Sequence, residues 1–247
     1  MKELIPFTPY DHAEEILPVL KENGFEVTDE ALRMLSDYEN ALLDVNRYMN
    51  LTAITEPHAV ALKHFADSLT ISRFLPKNAR LIDVGSGAGF PALPLAICRP
   101  DLRVIALDGT EKRVRFLRET IEKVGIRNAG AMTGRAEAVA KDPSFREQFD
   151  AVTARAVARL NVLAELCLPF VKEGGYFLAM KSVLAEEERK EAKKAIHVLG
   201  GKFIKEEKMK LTGNGETIER SVVIIQKILP TDVRYPRDYS AIDKKPL

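Results

Sequence analysis

Three glycines at alternating positions form a stretch that could hold a nucleotide-like ligand. In residues 80–94, RLIDVGSGAGFPALP, an apolar run precedes Gly85, Gly87 and Gly89, and an apolar helical pattern follows them. This order predicts a strand, a tight glycine turn and the start of a helix, which lets the backbone approach a ligand closely. A tight turn without any ligand is the alternative that the glycines alone leave open.

An acidic residue about 20 positions after the glycine turn strengthens the ligand interpretation. A second apolar run, 104–107, ends in Asp108, whose carboxylate can accept hydrogen bonds from both ribose hydroxyls of an adenosine. The spacing G-x-G-x-G is more typical of S-adenosylmethionine-dependent methyltransferases than of dehydrogenases, although both classes share the acidic residue. In such a fold the turn after the third strand lies beside the adenine, where backbone groups of Ala136 and Glu137 could bind its edge.

The chain after the fourth predicted strand indicates what kind of acceptor atom is used. The strand Phe149 to Thr153 is followed by Arg155, at the carboxyl end of a strand, where α/β enzymes carry out their chemistry. Neither the Asn/Asp-Pro-Pro-aromatic motif of amino methylases nor the nucleophilic Cys of carbon-5 pyrimidine methylases stands there. An atom with its own lone pair, such as guanine N7, needs positioning and little acid–base help. The planar guanidinium of Arg155 can hold a guanine or its phosphate.

Two further groups of residues have two interpretations each. Lys112 and Arg113 open a basic helix beyond the second strand and either form a solvated face or contact phosphates. On an earlier helix, predicted from about residue 57 to residue 74, His64 and Asp67 share one face. They either tie the N-terminal helices to the rest of the chain, the interpretation that we favour, or take part in catalysis.

Composition limits the class of protein. The 247 residues are 46% hydrophobic and 30% charged, as in an ordinary globular protein. No apolar run approaches the roughly 20 residues of a membrane span, and the N-terminus lacks a signal-peptide pattern, so we expect a cytoplasmic protein without membrane contact. The 2 Cys and 4 His show no metal-ligand spacing, so no metal is expected.

Charge is distributed unevenly along the chain. Residues 1–79 carry 7 Lys and Arg against 13 Asp and Glu, whereas residues 80–247 carry 30 against 23. This asymmetry suggests that an anionic partner meets the second part of the chain.

The order of elements predicts an α/β fold. Amphipathic helices over 11–22 and 28–48 come first, and from residue 80 strands alternate with helices, as in a parallel sheet with crossover connections. Two last strands, 201–207 and 219–227, are expected to pair antiparallel at the sheet edge. The predicted regions are an N-terminal helical extension at 1–75, a methyltransferase domain at 76–229 and a basic C-terminal tail, packed on or near that domain, at 230–247.

An ordered series of motifs resembles one family. Its members are NLTAI at 50–54, HFADSL at 64–69, DVGSGAGFP at 83–91, RAE at 135–137, RAVARL at 155–160, AMK at 179–181, and YPR and KKPL in the tail. The series is similar to the RsmG (GidB) family of 16S ribosomal RNA guanine-N7 methyltransferases. The resemblance implies a class I S-adenosylmethionine-dependent methyltransferase fold with a Rossmann-like, seven-stranded sheet. It also implies methyl transfer to N7 of a guanine in 16S rRNA or the small ribosomal subunit.

The resemblance also implies roles for individual residues. Cofactor-binding positions, with Gly87 added from the glycine turn, are Gly85, Gly87, Phe90, Asp108, Ala136, Glu137 and Arg155. RNA-contacting positions are Lys112, Arg113, Arg135 and Lys181, together with Arg155. We expect Arg155 to be the catalytic residue and the protein to be a monomer. The alternatives are a non-catalytic RNA-binding or ribosome-assembly factor on the same fold, or a methyltransferase for a small-molecule or protein acceptor.

Overall fold

One seven-stranded sheet organises the part of the chain that the structure describes. The structure is a computed structural model, and it describes residues 7–155, 158–182 and 186–247. The strands are β1 Arg80–Val84, β2 Arg103–Asp108, β3 Ala129–Thr133, β4 Phe149–Arg155, β5 Val171–Lys181, β6 Gly201–Gly213 and β7 Glu216–Lys227. Their order across the sheet is β3-β2-β1-β4-β5-β7-β6. β1 to β5 are parallel, and β7 runs antiparallel to both neighbours, so the predicted mostly parallel sheet with an antiparallel edge is confirmed.

Helices pack on the sheet through two clusters of buried side chains. The helices are α1 Ala13–Glu22, α2 Asp29–Met49, α3 Pro57–Val60, α4 Asp67–Leu69, α5 Ala92–Cys98, α6 Glu111–Val124, α7 Ala136–Val139, α8 Leu160–Cys167, α9 Glu186–Val198 and α10 Tyr239–Lys244. Successive strand residues point to opposite faces, so Leu81 of β1 joins the cluster of α1, α2, α5 and α6, and Ile82 joins that of α8, α9 and α10. Within the described ranges, no helix is both long enough and apolar enough for a membrane crossing.

The N-terminal helices lie directly against the glycine turn. Thr28 caps α2 by accepting a hydrogen bond from Ala31 N at 3.1 Å, as its position before two acidic residues predicts. From the middle of α2, the hydroxyl of the fully buried Tyr38 donates to the carbonyl of Ala88 at 2.6 Å. The helices and the sheet share one hydrophobic cluster, and the boundary at residue 75 stays a prediction.

The helix predicted from about residue 57 to residue 74 is irregular. Between α3 and α4 the chain forms a π-helical segment, Ala61–Ala66, and after α4 it forms a short 3₁₀ turn, Ser72–Phe74. The predicted helix start at residue 57 is confirmed, whereas the α-helical part ends at Leu69 and the predicted last turn is the 3₁₀ turn. Such π segments are rare and are often found at functional sites. In this segment the Lys63 carbonyl accepts a hydrogen bond from Arg155 Nη1 at 3.0 Å, so the irregular turn contacts the predicted site.

The C-terminal tail, residues 230–247, packs against the second cluster. Arg237 pairs with the fully buried carboxylate of Glu165 at 2.6 Å, and Ile242 of α10 is fully buried. A tail held by a buried ion pair and an apolar anchor is an ordered part of the fold.

Some predicted features fall outside the described residues. They are the first six residues of the predicted N-terminal extension, Ala156 and Val157 of the RAVARL motif, and the first two residues of the helix predicted over 184–199, which the structure describes from Glu186 onwards.

A buried carboxyl group lies between α1 and α2. Glu39 is fully buried, its two oxygens have no hydrogen-bond partner among the described residues, and Nδ1 of the His12 imidazole lies 3.7 Å from Oε1. Burial raises the pKa of Glu39 from 4.5 to about 8, and burial also lowers the pKa of His12. Both side chains are therefore neutral in the folded protein near pH 7.

This raised pKa predicts pH-dependent stability. A folded-state pKa above the unfolded value stabilises the protein fully below pH 4.5, and that contribution is lost as the pH rises towards about 8. The Glu39→Gln variant is therefore expected to gain stability over the wild type between about pH 5 and about pH 8, measured by urea unfolding. Glu22→Gln, an exposed change at the end of α1, is the control. A constant difference between the Glu39→Gln variant and the wild type across this range would contradict the assignment.

Candidate active site

The glycine turn lies at the carboxyl edge of the sheet, directly after β1. Gly85 N and Ser86 N both donate to the Leu107 carbonyl of β2, at 2.8 and 3.0 Å, so the turn folds back over the neighbouring strand. Gly85, Gly87 and Gly89 have φ values of 76°, 59° and 106°. Side chains other than glycine rarely adopt this left-handed region, so the sequence needs glycine at these positions. The predicted strand, turn and helix start are confirmed.

Two of these glycines serve different purposes. A Cβ at Gly89 would lie 2.8 Å from the Tyr38 hydroxyl and 2.9 Å from side-chain carbons of Leu93 and Leu117. A Cβ at Gly87 would meet no atom closer than 4.0 Å. Gly89 therefore allows close helix packing, whereas Gly87 leaves its backbone open to the cavity above it.

We expect Gly89→Ala to destabilise the fold by about 3 kcal/mol, because the added methyl overpacks the core and φ is positive. Gly87→Ala, which meets only the backbone cost, is expected to cost about 1 kcal/mol. Urea unfolding of the two variants measures the difference, and each is the matched control for the other. Equal stabilities would contradict the packing role of Gly89.

The Asp108 carboxylate joins the ends of two loops. Its Oδ2 accepts from Gly87 N at 2.9 Å, its Oδ1 accepts from Thr110 N at 2.8 Å, and Arg113 Nη1 lies 3.8 Å from Oδ2. A carboxylate oxygen can accept more than one hydrogen bond, so both oxygens keep capacity towards the cavity that they line. Sequence reasoning predicted the ligand-facing role of Asp108 but not these internal hydrogen bonds.

A cavity of about 470 Å³, which we call the glycine-loop cavity, brings most predicted residues together. Its lining comprises Leu51, Thr52, His64, Gly85, Ser86, Gly87, Ala88, Phe90, Asp108, Gly109, Thr110, Arg113, Arg135 and Arg155. Ala136 and Glu137 are not among its lining residues; they begin α7, where the Glu137 carboxylate pairs with Arg135 Nε at 3.2 Å. Arg113 and Arg135, predicted to contact RNA, therefore lie at the same cavity as the predicted cofactor residues.

Arg155 is held from three sides at the end of β4. Nη1 donates to the Lys63 carbonyl at 3.0 Å and to Asp67 Oδ2 at 2.9 Å, and Nη2 lies 3.1 Å from His64 Nδ1. Its guanidinium carbon also lies 5.1 Å from the centre of the Phe90 ring. These contacts fix the plane of the guanidinium, so the side chain has one defined orientation.

His64 is neutral and both of its ring nitrogens are engaged. Its ring stacks on Phe90 with centroids 4.2 Å apart, and burial, with a smaller contribution from Arg155, lowers its pKa to about 3. Nδ1 lies 3.1 Å from Nη2 of Arg155, which can only donate, and 3.1 Å from the Lys63 carbonyl oxygen, which can only accept. Nε2 lies 2.9 Å from Thr52 Oγ1, a hydroxyl that can donate or accept. His64 therefore has no free nitrogen with which to accept a proton.

Asp67 links two arginines across a second cavity. Its Oδ2 accepts from Arg155, and its Oδ1 lies 3.2 Å from Nε of Arg220, which belongs to β7. The second cavity, about 330 Å³, is named here the Asp67 cavity, and its lining is Ile54, Lys63, His64, Asp67, Arg155, Met180, Lys181, Ser182 and Arg220. His64 and Arg155 line both cavities, so the two cavities adjoin. Sequence reasoning did not single out Arg220.

The remaining predicted RNA contacts have separate locations. Lys181 lines the Asp67 cavity, where its Nζ binds Glu188 at 2.7 Å and donates to the Ala158 carbonyl at 2.7 Å. Lys112 is exposed at the start of α6 and lines neither cavity. Its predicted RNA contact would thus lie on the outer surface.

A buried carboxyl group beneath the glycine turn was not assigned from the sequence. Asp83 accepts hydrogen bonds from Ser86 Oγ at 2.6 Å and Thr153 Oγ1 at 2.7 Å. Burial raises its pKa to about 7, although the two hydroxyls act in the opposite direction. The acidic residue two places before the first glycine was the available signal. Asp83 links β1 to β4 and supports the turn from below.

Comparison with known proteins places this chain in a family. The family model GidB, described as rRNA small subunit methyltransferase G, matches residues 31–217. The chain belongs to the GidB family. Its GidB relatives include "Ribosomal RNA small subunit methyltransferase G" of Pelotomaculum thermopropionicum, 46% identical over 95% of this chain and 98% of the relative. The protein of the same name from Lactobacillus acidophilus is 44% identical over 95% of this chain and 98% of its own.

Solved structures resemble the GidB chain in fold. A SAM-dependent methyltransferase from Aquifex aeolicus has a TM-score of 0.51 at 18% identity, covering 71% of this chain and 96% of its own. TYW2 of M. jannaschii, solved in complex with AdoMet, has a TM-score of 0.52 at 17% identity, covering 66% of this chain and 75% of its own. The predicted methyltransferase fold is thereby confirmed.

Proposed function

We propose that this chain transfers a methyl group from S-adenosylmethionine to N7 of a guanine in bacterial 16S rRNA of the small ribosomal subunit. It acts in the cytoplasm and as a monomer. One observation carries the proposal beyond family membership: Arg155 and His64 line both the glycine-loop cavity and the basic Asp67 cavity. A methyl donor in the first cavity and a guanine base in the second would meet at these two side chains.

The residues of the glycine-loop cavity fit the cofactor. Its volume of about 470 Å³ lies within the usual range for small-molecule sites. A Cβ at Gly87 would meet no atom closer than 4.0 Å, so the backbone there leaves room for the close approach of a ligand. Asp108 would accept from ribose hydroxyls, and Gly85, Gly87 and Phe90 would border the rest of the molecule. Ala136 and Glu137 remain proposed adenine contacts.

Asp67 makes a cation tolerable next to the donor. Bound S-adenosylmethionine supplies a methyl group on a positively charged sulfur. The positive charge of Arg155 would oppose that sulfur, but the Asp67 carboxylate, at 2.9 Å from Arg155 and shared with Arg220 at 3.2 Å, offsets part of that charge. Arg155 can therefore hold and orient an acceptor base at the junction with less repulsion of the donor.

The described residues of the Asp67 cavity suit a methyl acceptor that needs no general base to remove a proton. Asp67 is paired with two arginines, and both nitrogens of His64 are engaged. Guanine N7 carries its own lone pair, so in-line positioning is the main requirement. A chain with these side chains would contribute orientation and charge and no proton transfer.

Cations of the Asp67 cavity favour guanine over adenine. Four cationic side chains, Lys63, Arg155, Lys181 and Arg220, line it together with one lining carboxylate, Asp67. A donor that contacts O6 beside N7 selects guanine, because adenine carries an amino group at that position. Arg155, at the junction, is the donor nearest to the proposed site of transfer.

Mass spectrometry of small-subunit rRNA from a deletion strain tests the proposal. We expect the strain to lose one 7-methylguanosine, and we expect the wild-type gene, but not an Arg155→Ala gene, to restore it. An unchanged modification pattern would overturn the proposed activity. Incubating the purified protein with naked rRNA or with 30S particles then identifies the substrate form.

A further inference from the structure

A third concave surface lies between α9 and the edge strand β6 and shares no lining residue with either cavity. This α9 groove has a volume of about 510 Å³ and is lined by Arg189, Lys190, Lys193, Ile196, His197, Gly201, Lys202, Phe203 and Ile228. Lys181 of β5, which lines the Asp67 cavity, pairs in register with Ser221 of β7 and marks the active-site edge of the sheet. Gly201 of β6, which lines the groove, pairs with Lys227 at the other end of β7. The groove therefore extends from the active-site edge of the sheet towards the other end.

Basic side chains follow the groove in a row. Arg189, Lys193 and His197 are four residues apart, so they lie on one face of α9, and Lys202 of β6 faces the same groove. Among the described residues no carboxylate pairs with Arg189, Lys193 or Lys202, and all three are exposed. These charges are therefore available to an external anion.

An apolar floor lies under the row of charges. Ile196 is buried, Phe203 is partly buried and Ile228 is 40% exposed. Apolar and aromatic surface beside cations suits nucleic acid, since sugars and bases contact the apolar part and phosphates contact the cations.

We propose that the α9 groove binds the sugar–phosphate backbone of the small-subunit rRNA, next to the segment that enters the active site. The proposal rests on the proposed function. Glu188, one residue before Arg189, binds Lys181 of the Asp67 cavity at 2.7 Å, so the groove begins beside that cavity. The row from Arg189 to His197 extends about 12 Å along α9, which spans several nucleotides of a strand.

The test compares a double variant with a matched control on the same helix. Lys193→Gln together with Lys202→Gln removes two groove cations, and Lys194→Gln removes an exposed cation of α9 that does not line the groove. Binding to protein-free 16S rRNA is measured from about 50 to about 200 mM salt. S-adenosylhomocysteine affinity and thermal unfolding establish that each variant is folded.

We expect the double variant to bind rRNA more weakly than the wild type, with a salt slope smaller by about 1.4. Its deficit should shrink about sevenfold over that salt range, because two phosphate contacts are lost. S-adenosylhomocysteine affinity should not change, and Lys194→Gln should match the wild type.

Two outcomes would overturn the groove proposal. One is a double variant with the wild-type slope, and the other is weaker binding to 30S particles without weaker binding to protein-free rRNA, which would indicate a protein partner. A wild-type protein that shows the groove-dependent slope but methylates no rRNA would leave the groove proposal standing and overturn the proposed function. Normal methylation with an unchanged slope would do the reverse.

Discussion

Replacing Arg155 with Lys is expected to lower kcat for rRNA methylation by about 100-fold. The guanidinium contacts the Lys63 carbonyl, Asp67 and His64 at once, at 2.9 to 3.1 Å. A lysine ammonium keeps the charge but lacks the planar fork that makes these three contacts. The acceptor base would lose its orientation at the junction of the two cavities. Affinity for S-adenosylhomocysteine, measured by calorimetry, should fall by about tenfold or less, since Arg155 is only one of the many residues that line the glycine-loop cavity.

Arg115→Lys is the control for this variant. Arg115 is an exposed residue of α6 that pairs with Glu119 at 3.8 Å and lines neither cavity. We expect it to keep wild-type kinetics. Wild-type kcat in the Arg155→Lys variant would show that Arg155 does not orient the acceptor.

The second large effect is expected at Asp108. We expect Asp108→Asn to weaken S-adenosylhomocysteine binding by about 100-fold, because hydrogen bonds to a charged acceptor are lost. An amide oxygen can still accept from one of Gly87 N and Thr110 N, but the amide NH₂ then faces the other donor. The glycine turn would lose one of its attachments to β2, and the ribose its charged acceptor. Calorimetry measures the affinity directly.

Glu119→Gln, an exposed carboxylate change on α6, is the matched control, and we expect it to bind like the wild type. A folded Asp108→Asn protein with unchanged affinity would contradict the cofactor assignment. Thermal unfolding separates this result from a general loss of structure.

Elements with strong local signals were predicted close to their observed positions. The apolar runs that precede Gly85 and Asp108 are β1, Arg80–Val84, and β2, Arg103–Asp108, and the basic helix opened by Lys112 and Arg113 is α6. The edge hairpin was predicted too short, because in the distal part of β6 the partly buried Met209 and the buried Leu211 alternate with the exposed Lys208 and Lys210 and so form no continuous apolar run. The Asn214–Gly215 dipeptide, with both φ values positive, was the signal for a two-residue turn.

The same distinction, between local sequence signals and contacts set by packing, applies to the residues of the site. The glycine turn, Asp108 and Arg155 carry local motifs and were found from the sequence. The Arg220–Asp67 pair and the Tyr38–Ala88 hydrogen bond join residues far apart in the chain, and their geometry depends on packing. Sequence periodicity placed His64 and Asp67 on one helix face, but it did not show that both contact Arg155.

The hydrogen bond from Tyr38 to Ala88 limits how this fold can be divided. The phenol of α2 supports the glycine turn from beneath and fills the space that a side chain at Gly89 would need. A fragment beginning at β1 would keep the whole sheet yet leave the turn without that support. Anyone who transplants this turn into another scaffold, or designs an inhibitor against it, must treat α2 as part of the proposed cofactor site.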